Sequence, residues 1–343
     1  MNAILNIDFS KISKAELLEY CSVLHSSGNE WQKNITDFVQ EWFNTNDQIA
    51  LKTSGTTGKS KNIEVEKSRM KVSASMTGEY FQLHKGSKVL LALSPNFIAG
   101  KMMLVRAIEL QWNLYAVEPS GNPLKDLKMD FDFTALVPNQ LYEILQSNER
   151  NELKKIQKVL IGGGSISPAL LKEIRDFPNQ FYQSYGMTET VSHVAIKQLY
   201  PNEQLTYHAL KNVSFQCDER NCLIINAPHL SPSPIVTNDI VKLISETEME
   251  WLGRYDNIIN SGGIKINPEE VERKIQHLID TPFIVSSIND EKLQNKLILL
   301  VEGNTNIHLE TINQHLSKFE KIKEVRLNCS FERTNSGKIK RPN

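Results

Sequence analysis

Short apolar runs alternate with helix-like stretches through most of this chain, and that alternation limits the fold more than any other feature. The runs KVLLAL at 88–93, TALV at 134–137 and KVLIGGG at 158–164 read as buried strands. The stretches 102–110, 139–145 and 168–176 read as helices. The last has Ser167 as its cap and Pro168 at its first helical position. Strands alternating with helices predict an α/β domain. The pattern changes after about residue 255. There Asn267-Pro268-Glu269-Glu270 opens a helix with Val271, Ile275 and Leu278 at apolar positions. Strands are expected at 282–287 and 295–302, a helix around 308–320 and a strand around 323–329. The predicted division is a large α/β unit over 1–255 and a small α+β unit over 256–343, the small one within the usual range for a domain.

Hydrophobic residues make up 40% of the 343, enough for a sizeable core. The 39 Lys+Arg balance 40 Asp+Glu, which argues against a dedicated nucleic-acid binder but leaves room for a local basic pocket. The first twenty residues lack a basic region followed by an apolar one, so no secretory signal is expected. No apolar run reaches the roughly 18 residues of a membrane span. The four cysteines, Cys21, Cys217, Cys222 and Cys329, have no zinc spacing and fit free thiols in the cytoplasm.

The segment Thr53-Ser54-Gly55-Thr56-Thr57-Gly58-Lys59-Ser60-Lys61 concentrates hydroxyls, two glycines and two lysines just after the apolar Ile49-Ala50-Leu51. Glycines let backbone N–H groups turn toward an anion, hydroxyls donate to phosphate oxygens, and lysines add charge. It is not a Walker A loop, which needs glycine where Thr53 stands. Taken alone, a flexible polar surface loop explains it too.

The segment closely resembles the signature of the acyl-adenylate-forming superfamily, with Ser60 in place of the usual proline. Further motifs follow in the family's order. Gly162-Gly163-Gly164-Ser165 resembles the turn against the acyl group and adenine. Tyr185-Gly186-Met187-Thr188-Glu189-Thr190 resembles the YGxTE motif. The resemblance implies that Tyr185 packs on adenine, Thr188 contacts phosphate and Glu189 ligates magnesium. Thr237-Asn238-Asp239 resembles the TGD motif, in which the aspartate binds ribose; asparagine, tolerant of left-handed backbone, replaces glycine. Arg254 matches a second ribose contact and Asp256 the hinge. The Gly262-Gly263 loop matches the border of the pantetheine tunnel. Asn335-Ser336-Gly337-Lys338 matches the final motif with its catalytic lysine, although a basic tail so near the end also fits the residues alone.

The resemblance implies two half-reactions using ATP, Mg2+ and coenzyme A. A carboxylate is first joined to AMP, with Lys338 neutralising charge. A thiol then displaces AMP after the small domain rotates. Only 52 residues precede the phosphate loop, where typical family members have well over a hundred, so a shortened N-terminal subdomain is expected. A second subunit, giving a homodimer, could cover the missing surface.

Short forms of this kind occur among bacterial o-succinylbenzoate–CoA ligases of menaquinone biosynthesis. Residues 94–107 resemble their substrate-helix segment, with Arg106 six residues after Gly100. Arginine can grip the second carboxylate of a small dicarboxylic acid in bidentate fashion, and Lys101 lies nearby in sequence. A structural ion pair remains the alternative for Arg106. Phe97 replaces the usual histidine, and His193 is placed to line the acyl pocket, although a single histidine is more often an ordinary core residue. Another aryl or acyl acid ligase, for CoA or a carrier protein, is a second reading. An amino-acid activator should carry an aspartate near its pocket helix, and 94–107 has no acidic residue. A non-catalytic binding module is a third reading, opposed by intact Thr56, Glu189, Asp239 and Lys338.

Overall fold

The computed structural model describes residues 4–52, 62–333 and 339–341. Edge strand β1 (Leu5–Asp8) leads into α1 (Lys14–Ser27) and α2 (Glu30–Phe43). A capping box closes the start of α1, with Ser13 accepting from the Glu16 N–H and the Glu16 carboxylate accepting from the Ser13 N–H. Helix α2 buries Trp31, Ile35, Phe38, Val39 and Trp42, the stripe that a 3.6-residue period puts on one face.

Strands β2 (Gln48–Lys52) and β3 (Asn62–Glu66) pair antiparallel, with Lys52 opposite Asn62. The intervening phosphate-loop segment, Thr53 to Lys61, lies outside the described residues. Next come α3 (Lys67–Phe81), β4 (Lys88–Leu91), α4 (Ile98–Glu109), β5 (Asn113–Ala116), β6 (Phe131–Leu136), α5 (Pro138–Gln146), β7 (Ile156–Ile161), α6 (Pro168–Ile174) and β8 (Gln180–Gly186). An antiparallel run follows: β9 (His193–Tyr200), β10 (Tyr207–Ala209), β11 (Ser214–Cys217), β12 (Cys222–Asn226), β13 (Ile235–Ser245) and β14 (Glu248–Arg254).

Twelve of these strands form one sheet, ordered β1-β5-β4-β6-β7-β8-β9-β10-β14-β13-β12-β11. The central pairs β5–β4, β4–β6, β6–β7 and β7–β8 are parallel. Both faces of β4 are covered. Val89 and Leu91 join one apolar cluster with Met102 and Val105 of α4, while Leu90 joins another with Leu141 of α5 and Ile174 of α6. Two covered faces explain why 88–93 reads as an unbroken apolar run rather than an alternating one.

Beyond residue 258 come β15 (Ile259–Ser261), β16 (Ile264–Ile266), α7 (Pro268–Ile275), β17 (Phe283–Asp290), β18 (Gln294–Val301), α8 (Leu309–Gln314) and β19 (Glu324–Arg326). Asn267 caps α7 by accepting from the Glu269 and Glu270 N–H groups. Val271 and Ile275 of α7 pack with Val285, Leu299 and Ile312 in a third, separate apolar cluster. The fold is a large mixed α/β sheet layer with a small C-terminal β-sheet unit.

Candidate active site

Chain order and sheet order part company at β4, because β5 lies on one side of it and β6 on the other. In open α/β sheets ligands bind at such a switch point, beyond the carboxyl ends of the strands. Each motif in this part of the sequence leaves a strand at that end. Residues 94–97 follow β4, Gly162–Gly164 follow β7, and Gly186–Glu189 follow β8. A recess of about 730 Å3 lined by Lys88, Asp132, Lys155 and Asn179 lies at the opposite, amino ends of the strands.

Gly100 sits where α4 crosses the chain that leaves β4. A β-carbon there would stand 2.2 Å from the Ser94 carbonyl oxygen, so only glycine fits. This contact sets α4, and α4 carries Arg106 inward, 2% exposed. The Arg106 Nε–H donates to Thr77 Oγ1 on α3 at 3.1 Å, and its Nη2–H donates to Ser192 Oγ at 2.7 Å. His193 lies in the same cluster, its Nε2 3.2 Å from Thr77 Oγ1 and its Nδ1 3.4 Å from Ser192 Oγ. No carboxylate pairs with Arg106 among the described residues, so the structural ion pair is absent there. Burial pushes its pKa from 12.5 down to about 9, which still leaves it charged at neutral pH. Burial, and then the Arg106 charge, push His193 well below its ordinary range, so the imidazole is neutral. The cluster is a buried cation held by neutral groups.

Ser192 reaches Arg106 through an uncommon backbone turn. Val191 has φ 66° and ψ −50°, and the Ser192 N–H donates to the Thr190 carbonyl at 2.7 Å. This is a γ-turn with a β-branched residue in a strained region. The buried Thr190 hydroxyl pins it, accepting from the Met187 N–H at 2.9 Å and donating to the Ser192 carbonyl at 2.6 Å. Gly186 passes so close to β9 that a β-carbon would meet the Ser192 carbonyl oxygen at 2.4 Å.

Two sequence expectations for this region need correction. Lys101 does not join Arg106. Five helical residues turn it to another face, where its Nζ donates to Glu41 at 3.1 Å and lies 4.8 Å from the Phe38 ring centre. Asn238 does not sit in a left-handed turn. It lies within β13, and its side chain bonds Asp256 at 2.9 Å and accepts from Arg220 at 3.1 Å.

The second cluster surrounds Asp239, which is 6% exposed. Its carboxylate accepts from the Tyr185 hydroxyl at 2.8 Å and the Trp251 indole N–H at 3.1 Å, and Arg254 lies 3.6 Å away. Arg254 also grips Asp256 at 2.7 Å. Burial, and then the Asp239 charge, hold the Tyr185 phenol well above its ordinary range, so it stays a donor. The Tyr185 ring packs against Tyr207 at 5.8 Å between centres.

Thr188 is half-buried, and Glu189 is exposed on a single turn with no hydrogen-bond or ion-pair partner among the described residues. Phe97 is 44% exposed at the start of α4. Gly162 and Gly164 bond the neighbouring backbone and Gln183, and Gly163 has φ 78°. Gly262 and Gly263, at φ 57° and 80°, form the two-residue tip of the β15–β16 hairpin, a turn that favours glycine at both positions. Lys338 lies outside the described residues. Sequence reasoning missed Thr77, Ser192, Tyr207 and Trp251. Ser192 is adjacent to a motif and could have been flagged, whereas nothing local marks Thr77.

The family model described as AMP-binding enzyme matches residues 7–216. This chain belongs to the AMP-binding enzyme family. It is an AMP-forming acid–CoA ligase of that family. It is 24% identical to the 2-succinylbenzoate–CoA ligase of Lactococcus lactis, over 85% of this chain and 69% of that one. The chain spans 47–71% of the length of this and seven other curated relatives that it matches. A solved Dyadobacter fermentans protein, described as acyl-CoA synthetase (AMP-forming)/AMP-acid ligase II-like, is 36% identical, covering 98% of this chain and 97% of its own with a TM-score of 0.67. The Bacillus subtilis o-succinylbenzoate coenzyme A synthetase, solved with ATP and magnesium ion, shares the fold at 19% identity and a TM-score of 0.71, over 98% of this chain and 82% of its own. No helix among the described residues of this family member is long and apolar enough to cross a membrane.

Proposed function

We propose that this enzyme activates o-succinylbenzoate, joining one carboxylate to AMP and then passing the acyl group to coenzyme A. The observation that carries the substrate is Arg106. A buried guanidinium without an acidic partner is costly, and a second substrate carboxylate would compensate it. Thr77 and Ser192 fix the guanidinium plane, and neutral His193 adds no competing charge. The names of several curated relatives support the same acid.

The nucleotide roles follow the same reading. Tyr185 offers a ring face to adenine, while Asp239 and Arg254 offer an acceptor and a donor to ribose. Residues 53–61 and Lys338 would serve the phosphates and the reacting carboxylate. Glu189, without a partner among the described residues, suits magnesium, a hard ion held largely by phosphate oxygens and waters that takes few protein carboxylates. The ion would draw charge from the phosphates when bound. Oxide is a poor leaving group from a carboxylate, whereas AMP leaves readily, so adenylation makes the thiol step feasible. Asp256 would act as the hinge between units 1–255 and 256–343, with the Gly262–Gly263 tip bordering the thiol path in the second step.

The test is ATP–pyrophosphate exchange with o-succinylbenzoate and with a matched acid lacking the second carboxylate. Strong exchange with o-succinylbenzoate and weak exchange with the matched acid are expected. Equal exchange with both acids would remove Arg106 as the selector, and exchange with neither would sink the substrate.

A further inference from the structure

Residues 339–341 are held to the small unit by several directed contacts. Arg341 donates through Nη2 to Glu272 at 2.7 Å and through Nη1 to the Val285 carbonyl at 2.9 Å, and its Nε lies 3.3 Å from Glu269. Both carboxylates stand on α7 and are mostly covered, with side chains 11% and 18% exposed. Glu272 also accepts from the Val285 N–H at 2.6 Å. Glu269 accepts from the Asn257 side-chain amide, one residue after Asp256. The second Glu269 oxygen is buried with no hydrogen-bond partner among the described residues. On the other side of residues 334–338, Arg333 grips Glu302 with both terminal nitrogens at 2.9 and 2.5 Å. Arg333 and Ile339 form an antiparallel bridge, and the Lys340 N–H donates to the Glu332 carbonyl at 2.8 Å.

We infer that Arg341 is a positioning residue for adenylation, locking the segment just after Lys338 onto α7 and the hinge turn so that the tail and the small unit move as one body. The inference rests on the reading of Lys338 as the residue of the first half-reaction. A loosely held segment would not need a planar guanidinium fitted to two carboxylates and a carbonyl. Lysine at this position keeps the charge but cannot make the three directed contacts. Misplacing a reacting group by about 1 Å costs on the order of a hundredfold in rate.

The experiment compares the full-length wild type, Arg341→Lys, Arg341→Met and Lys338→Ala. Pyrophosphate exchange, thioester formation from preformed acyl-adenylate, melting temperature and amide exchange of 339–341 are measured. Arg341→Lys is expected to lower pyrophosphate exchange by roughly a hundredfold. Thioester formation should stay within about twofold of wild type, the melting temperature nearly unchanged, and tail amide exchange faster. Arg341→Met should show the same split between the half-reactions with a larger tail effect and a lower melting temperature, because it leaves the covered Glu269 and Glu272 carboxylates without their cation. Equal loss in both half-reactions would assign Arg341 a merely structural role, and wild-type behaviour of Arg341→Lys in every assay would overturn the inference. If Lys338→Ala leaves adenylation intact, the reading of Lys338 fails. In that case unchanged tail exchange in the Arg341 variants would overturn the anchor separately.

Discussion

Replacing Arg106 by methionine should separate stability from function in opposite directions. In the free enzyme, burial drives the Arg106 pKa from 12.5 to about 9. At about 1.4 kcal/mol per pH unit that is a cost of roughly 5 kcal/mol for keeping the charge inside. Two hydrogen bonds, to Thr77 and Ser192, return about 3 kcal/mol of it. Methionine fills similar space without the charge, so the fold should gain about 2 kcal/mol, within the range seen when buried charges become apolar groups. In a chain of this size that is a rise of about 3 °C in melting temperature. Activity should fall instead. Pyrophosphate exchange with o-succinylbenzoate should lose about a hundredfold or more in kcat/KM, near 3 kcal/mol for a lost charge-assisted contact. A monocarboxylate analogue, poor with the wild type, should lose little further. Differential scanning calorimetry and initial-rate exchange assays read both quantities. A destabilised Arg106→Met, or equal losses for both acids, would show that Arg106 holds the fold and not the substrate.

Other outcomes follow from the same geometry. His193 is neutral when folded, with a pKa well below the value near 6.5 of an unfolded chain. Below about pH 6.5 the unfolded state binds a proton that the folded state refuses, so stability should fall by up to about 1.4 kcal/mol per pH unit from this group. His193→Gln should flatten that part of a melting-temperature profile between pH 7 and 5, and an unaltered slope would refute the assignment. Gly100→Ala forces a β-carbon against the Ser94 backbone. Chemical denaturation should show a loss of about 3 kcal/mol, at the top of the overpacking range; a neutral result would mean that the chain after β4 yields easily. Asp239→Asn should raise the KM for ATP while the acid's KM barely moves, and an equal rise in both would deny it a nucleotide role.

Much of this architecture could be read from residue pattern alone. The strands at 88–93 and 158–164 were visible because α4, α5 and α6 cover both faces of the parallel strands and leave apolar runs. Ser167-Pro168 marked the start of α6 because capping chemistry is local. Lys101 shows where sequence proximity misleads, since helical rotation sends it toward Glu41 and away from Arg106. Asn238 shows a different limit. Its role depends on Asp256 and Arg220, each eighteen residues away, and no backbone preference encodes that. The Arg106 cluster joins α3, α4 and the start of β9. Thr77 and Ser192, 115 residues apart in the chain, meet only through the fold.

The most direct test is a single turnover with stoichiometric enzyme, ATP, magnesium and o-succinylbenzoate. Without coenzyme A, the account predicts one pyrophosphate released per active site and an o-succinylbenzoyl-AMP detectable by mass spectrometry. Adding coenzyme A should then convert it to the thioester and AMP. Release of ADP and phosphate, or no nucleotide cleavage with this acid, would contradict it.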